Sequence, residues 1–454
     1  MLTSLNQDIL EGRHAAGDLA RGFQADVLAG LLPSAEFSPH QAKQLVVLLG
    51  LAGASVGRHF QEQDPTYRAH PERAFAGLTV GLADTAFQQY FDGLADRTAS
   101  GHGGRDSYAS LVRWNLPTTE VRLAGDRVAV LAGVFDDGDI RTYTGTSEEQ
   151  RFFTLLKMSE TLELAVNSTL MPISTGAVDI CADEAVERIT RAVVLLVALR
   201  QMNADFAALP AQEGLRSDYF LDVFRQYAVH WRAGDVPPSG ALDPEAVTRD
   251  LLLGGISAEH QDRVRHLFPG LLGSERSALT SLMGRSSLPQ LVMGLPGLRE
   301  ADLMELSLEQ LMVEVRRRPV LAALYLLLNA HARLSGVHLM LSKKFLFSPQ
   351  RERERDGAGD PGVVSNRSGT TGMDESYLER LTRARHHHPL SMFRALPGRQ
   401  LQDLAGLAQM RSEVPDDLRG LVGFSSSAAT VETDLPMLWT LTPTSSPTVA
   451  PVRD

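Results

Sequence analysis

Two histidines on one apolar helix face are the residues best suited to do chemistry. In PVLAALYLLLNAHARLSGVHLMLSKKFLF (319–347), Leu324, Leu327, Leu328, His331, Leu334, His338, Leu341 and Phe345 follow the three- and four-residue spacing of one helix side. Seven residues are about two turns, ~10.5 Å along the axis, so His331 and His338 cannot share one metal ion. A histidine on such a face is ordinarily a satisfied core residue. The functional alternative is a single axial ligand to haem iron, which needs one strong imidazole and apolar walls. His338 is the better candidate of the two, because Gly336 beside it leaves room for a flat macrocycle to approach the backbone.

A second group lies in SDYFLDVFRQYAVHWRAGDVPPSGALD (217–243), where Phe220, Phe224 and Tyr227 are spaced like a helix face and Arg225 adjoins Phe224. One reading is an amphipathic helix with Arg225 on its polar edge. The other is an aromatic pocket whose guanidinium forms a bidentate pair with a substrate carboxylate. Other polar clusters read as structural. His386, His387 and His388 would point 100° apart on a helix and precede Pro389, which marks an exposed helix end. His260 and His266 are expected on different, solvent-side helix faces, and RERERD as a solvated surface. The chain has no H-E-x-x-H and no G-x-x-x-x-G-K-[ST], and GHGGRD (101–106) lacks the strand–turn–helix context of a phosphate loop.

The elements that must position these residues are mostly helical. Apolar residues recur at helical spacing over 41–59, 72–96, 148–170, 183–207, 216–232, 244–254, 301–315 and 319–347. Strand-like alternation is confined to 119–143, where TEVRLAGDRVAVLAGVF and DIRTYT flank DDGD as a candidate hairpin. The expectation is an all-α protein: a smaller N-terminal part (1–145), a larger helical domain (146–392) and a C-terminal extension (393–454) largely disordered after about 424. Residues 348–372, charged and then Gly/Ser/Thr-rich, are expected to form a mobile loop.

Composition narrows the chemistry. The 454 residues carry a net charge of −11 and a single cysteine, Cys181. That excludes an internal disulfide, a Cys₄ zinc or iron–sulfur site and covalent c-type haem. The acidic balance argues against nucleic acid as a partner. MLTSLNQDILEGRH has neither a basic n-region nor an apolar h-region, and Ala192 to Leu199 is too short an apolar run to span a bilayer. A cytoplasmic protein without membrane contact is expected, its oligomeric state open.

Several segments, in order, resemble the haem-dependent indoleamine/tryptophan 2,3-dioxygenase superfamily. HLMLSKKFLFSP (338–349) resembles its proximal-histidine helix, followed by a loop, a GTGG-type turn (Gly369-Thr370-Thr371-Gly372) and a closing helix from Asp374. YFLDVFRQYAVHW resembles the helix of the substrate-carboxylate arginine, and PSGALDPEAVTRDLLLG the turn over the haem. RFFTLLKMSETLE resembles the distal helix, and Tyr108 in SYASLVRWN a pocket aromatic. The similarity covers roughly 105–390.

The resemblance implies non-covalent haem b on His338, O₂ as co-substrate, and insertion of oxygen into the ring of tryptophan or a related indole. It places Arg225 on the substrate carboxylate, Phe220 and Phe152 against the indole, and Thr370 on the ammonium or carboxylate. Leu156 falls above the iron, with Ser239 and Gly240 beside the porphyrin. Three departures stand out: Thr371 replaces a glycine, Leu156 offers no hydrogen-bonding group, and Ser335 stands where the family often has an arginine. Arg333 is the expected substitute in pairing with Asp250. Lys157, next to Leu156, could reach the pocket only through a register shift. Rival outcomes are monooxygenation or ring rearrangement of another aromatic amino acid, and, from another class, a non-catalytic haem-binding or interaction protein.

Overall fold

The apolar period at 319–347 folds as the helix Val320–Ser342, most of it buried in the computed structural model, which describes residues 1–100, 105–355, 373–412 and 421–424. These residues are mostly helical, with a few short strands. Val320–Ser342 lies along Asp183–Ala208, whose own apolar run is buried, and that helix packs on Ser147–Ser174. Pro244–Leu252 packs on Ser147–Ser174 as well. Helix starts follow side-chain chemistry: Asp243 accepts the N–H groups of Glu245 (2.9 Å) and Ala246 (3.2 Å), with Pro244 at the first helical position. From Val320 the chain stays helical to Arg355. This stretch is long and apolar enough to cross a membrane, but 72% of its most apolar window is buried inside the protein, as in a core helix.

On the N-terminal side, Pro39–Gln63 begins with a capping box of Ser38 and Gln41 and packs on Phe87–Thr98. Gly53 on that helix is required by close packing, since a Cβ there would stand 2.6 Å from the Trp231 ring. Trp231 is fully buried among Phe75, Phe87 and Phe91. The chain just after Arg225 is therefore anchored in the N-terminal part, and one apolar core runs across position 145.

Several expectations change. The hairpin pairs Thr119–Leu123 with Asp126–Leu131, so it turns at Ala124-Gly125, both at positive φ, and not at DDGD. A third strand, Val422–Phe424, pairs antiparallel with Thr119–Leu123. The extension after 392 is thus structured over its described residues: Gly398–Leu404 packs on Val320–Ser342, and Leu407–Ser412 on Asp183–Ala208. Residues 425–454 lie outside the described residues. The start of the expected loop is helical, Ser348–Arg355, with Arg353 paired to Asp222 and Arg351 to Glu375. RERERD itself stays a solvated surface over its described part, with Arg353 alone half-buried. The closing helix is Glu375–His386, capped by Asp374, which accepts the Tyr377 N–H at 2.7 Å.

Candidate functional site

A cavity of about 550 Å³ opens between these helices, within the range of small-molecule sites. Its wall includes Tyr108, Phe152, Leu156, Phe220, Arg225, Ser239, Gly240 and His338. Every expected site residue among the described ones lines this single cavity. Thr370, with the rest of the GTGG-type turn, lies outside the described residues.

Three π-helical turns border it: Ala109–Trp114 directly after Tyr108, Tyr219–Phe224, and Lys343–Phe347. Such wide turns cluster at functional sites because the extra residue re-aims side chains. The expected helix at 216–232 is replaced by the second of them and a 3₁₀ turn, Arg225–Tyr227. The result is an aromatic wall. Phe220 and Phe224 stack at 6.0 Å, and Phe152 meets them edge-on at 5.3 and 5.2 Å. Arg225 follows directly, half-buried. Arg58, fully buried in Pro39–Gln63, donates to the carbonyls of Val223 (2.8 Å) and Asp222 (3.1 Å), which fixes the turn that presents Arg225.

On Ser147–Ser174, Leu156 faces the cavity and Lys157 turns away, so no register shift brings the lysine in. The Lys157 ammonium is fully buried and donates to the carbonyls of Arg113 and Ala132. Burial pushes its pKa down to about 7, against the attraction of Glu160. Ser239 Oγ accepts the Ala241 N–H at 3.3 Å, and nothing stands within 4 Å of where a Gly240 Cβ would be.

His338 opens into the same cavity, and among the described residues its ring has no hydrogen-bond partner. Its imidazole surface is accessible through the cavity while protein surrounds it. Burial, with Arg385 and Arg249 adding repulsion, brings its pKa down to about 4. It is therefore neutral near pH 7, the form that binds a metal. Gly336 does not line the cavity, and a Cβ there would meet nothing within 4 Å, so the expected close approach over it has no basis.

His331 faces a second cavity of about 650 Å³, although its spacing puts it on the same stripe as His338. Between the two lies a polar wall. Asp250 pairs with Arg249 and with Arg385, and Arg385 also donates to Ser335 Oγ at 2.7 Å. The exposed Arg333 is not the partner of Asp250; Arg385 from the closing helix is. The guanidinium missing at Ser335 thus arrives from another helix and bonds that serine. Burial alone would raise the Asp250 pKa, but Arg385 and Arg249 outweigh it and hold the carboxyl well below its usual range. His331 Nε2 stands 3.4 Å from Asp250 without a hydrogen bond, and burial keeps its ring neutral.

Sequence reasoning missed further groups. Glu163, Asp243 and Arg249 line the cavity, and Arg249 pairs with Glu163. Burial and the neighbouring Glu163 and Glu160 push the Asp243 pKa well above its ordinary value. Asp243 could have been found from the D-P-E cap that opens its helix. His260 is a correction: it is buried, its Nδ1 meets the Tyr377 hydroxyl at 2.7 Å, and it lines the cavity, because a partner 117 residues away draws it inward. His266 is exposed as expected, and it also borders the cavity. In the histidine run only His387 is exposed; His386 and His388 are half-buried at the helix end. Among the described residues no group of His, Cys, Asp and Glu is arranged to hold a bare metal ion. Compared with known proteins, the chain matches no family model and no curated protein.

Proposed function

We propose that the cavity is a haem b pocket and that the protein is a haem-dependent oxygenase inserting oxygen from O₂ into the ring of tryptophan or a related indole. The observation that carries this reading is the lining of one ligand-sized cavity: a neutral, unpartnered imidazole together with an arginine beside an aromatic cluster. His338 would hold the iron through a ring nitrogen, with Leu156, Ser239 and Gly240 against the macrocycle. Haem, when bound, supplies the activation of O₂ that no side chain here can provide.

The chain's own residues do the rest. Arg225 binds the substrate carboxylate, and its fork geometry fixes orientation as well as position. Phe152 and Phe220, in contact with each other, form the wall against which the aromatic ring packs. Leu156 contributes neither acid nor base, so the protein acts by orientation and by excluding water.

Aerobic incubation with tryptophan and a reductant, followed by mass spectrometry, tests the reading. A product carrying two added oxygen atoms supports it. One added oxygen supports monooxygenation, and no product from any aromatic amino acid supports a binding protein without turnover. Arg225→Ala is expected to raise KM by about tenfold or more, as loss of a charge-assisted pair implies. An unchanged KM removes the carboxylate role.

A further inference from the structure

Three tyrosines line the cavity, Tyr108, Tyr143 and Tyr227, which are 2%, 3% and 1% exposed. Among the described residues the hydroxyls of Tyr108 and Tyr143 have no hydrogen-bond partner, whereas that of Tyr227 is closed off from the cavity and turned to the Arg58 guanidinium. Three other tyrosines of this fold are held by protein partners. Tyr90 donates to the Leu32 carbonyl at 2.7 Å, and Tyr377 meets His260 at 2.7 Å. The Tyr219 hydroxyl is held by Thr144 (2.6 Å), Thr146 (2.8 Å) and Glu149 (3.3 Å). A buried hydroxyl without a partner costs free energy that only a group in the cavity can return.

Two of the three form one surface. Tyr143 and Tyr227 stack face to face, with centroids 4.0 Å apart and planes within 2°. Phe224 meets Tyr143 edge-on at 6.2 Å, and Tyr227 shares the 3₁₀ turn of Arg225. The pair therefore continues the wall built from Phe152, Phe220 and Phe224. The Arg58 guanidinium packs 4.4 Å from the Tyr227 ring centre and acts on its hydroxyl, so it fixes the ring on which Tyr143 stacks.

We propose that the hydroxyls of Tyr143 and Tyr108, the first on a ring held in place by Tyr227, read a hydroxyl on the aromatic ring of the substrate, so that the cavity prefers hydroxylated aromatic amino acids to their unsubstituted counterparts. This rests on the reading of the cavity as an aromatic amino-acid site. A phenol both donates and accepts, so a substrate hydroxyl between such groups can do both. A site built around that pairing rejects the analogue lacking it far more strongly than an apolar slot does.

Calorimetric titration of the full chain with two matched pairs tests this: L-tyrosine against L-phenylalanine, and 5-hydroxy-L-tryptophan against L-tryptophan. In at least one pair the hydroxylated member is expected to bind about tenfold tighter or more. Tyr143→Phe and Tyr108→Phe should each collapse that ratio while keeping or raising Tm, since the deleted hydroxyl has no protein partner. Tyr143→Phe carries the test alone if Tyr108→Phe does not fold. Ratios near one in both pairs, or ratios unmoved by the substitutions, overturn the proposal and leave the aromatic site standing. If none of the four binds, the reading of the cavity falls, and the proposal with it.

Discussion

Leu156 and Lys157 are adjacent on one helix and meet opposite surroundings, the first a cavity, the second backbone carbonyls in the protein interior. The lysine makes a sharp prediction. Its pKa is about 7 in the fold against 10.5 unfolded, so its contribution to stability is present above the unfolded value and lost as pH falls through 7. The stability of the wild type relative to Lys157→Met is expected to be about 3 kcal/mol greater at pH 9.5 than at pH 7, at about 1.4 kcal/mol per unit. Urea denaturation of both proteins measures this, and a difference independent of pH contradicts it. Which residues could be found from sequence follows from the same contrast. His338 and Arg225 stood out because helical spacing and aromatic neighbours are local signals. Arg385 and His260 did not, because their partners, Asp250 and Tyr377, lie more than 100 residues away.

Elements explain the next layer. The helices at 147–174, 183–208 and 320–342 were legible as long apolar periods, whereas the three π-helical turns were not, since one extra residue per turn leaves no mark in a pattern read at 3.6 residues. Those turns set the aim of Phe220, Phe224 and Phe345, so the composition of the wall was readable and its geometry was not. Arg385 ties the closing helix to Ser335 on the histidine helix and to Asp250. Arg385→Ala is expected to cost about 2–4 kcal/mol, as breaking a buried ion pair does, with Arg249 still partly neutralising Asp250. Adding Ser335→Arg in that background should restore more than half of the loss, because the guanidinium then returns to the same carboxylate. Chemical denaturation of the three variants checks this, and an unchanged midpoint for Arg385→Ala contradicts the clamp. Arg353→Ala, by contrast, breaks a partly exposed pair with Asp222 and should cost under about 1 kcal/mol.

At the scale of the whole molecule, the apolar core crosses position 145 and takes in elements that sequence reading set aside as an extension. Leu396, Leu401, Leu407, Leu421 and Val422 are all buried, and Thr190 bonds the Ala405 carbonyl at 2.7 Å. The short strand Val422–Phe424 could not be read, because its pairing partner lies some 300 residues earlier. Removing residues 393–454 should therefore expose core and lower Tm by more than about 10 °C, given roughly 2 kcal/mol for each buried leucine. A truncated chain melting with the wild type would show the extension to be dispensable.

The central claim is that the cavity takes haem on His338, and a haem titration of the apo-protein followed at the Soret band tests it most directly. One haem per chain is expected to bind the wild type and His331→Ala, and His338→Ala should lose the band. Wild-type haem uptake by His338→Ala, together with its loss in His331→Ala, would contradict the account.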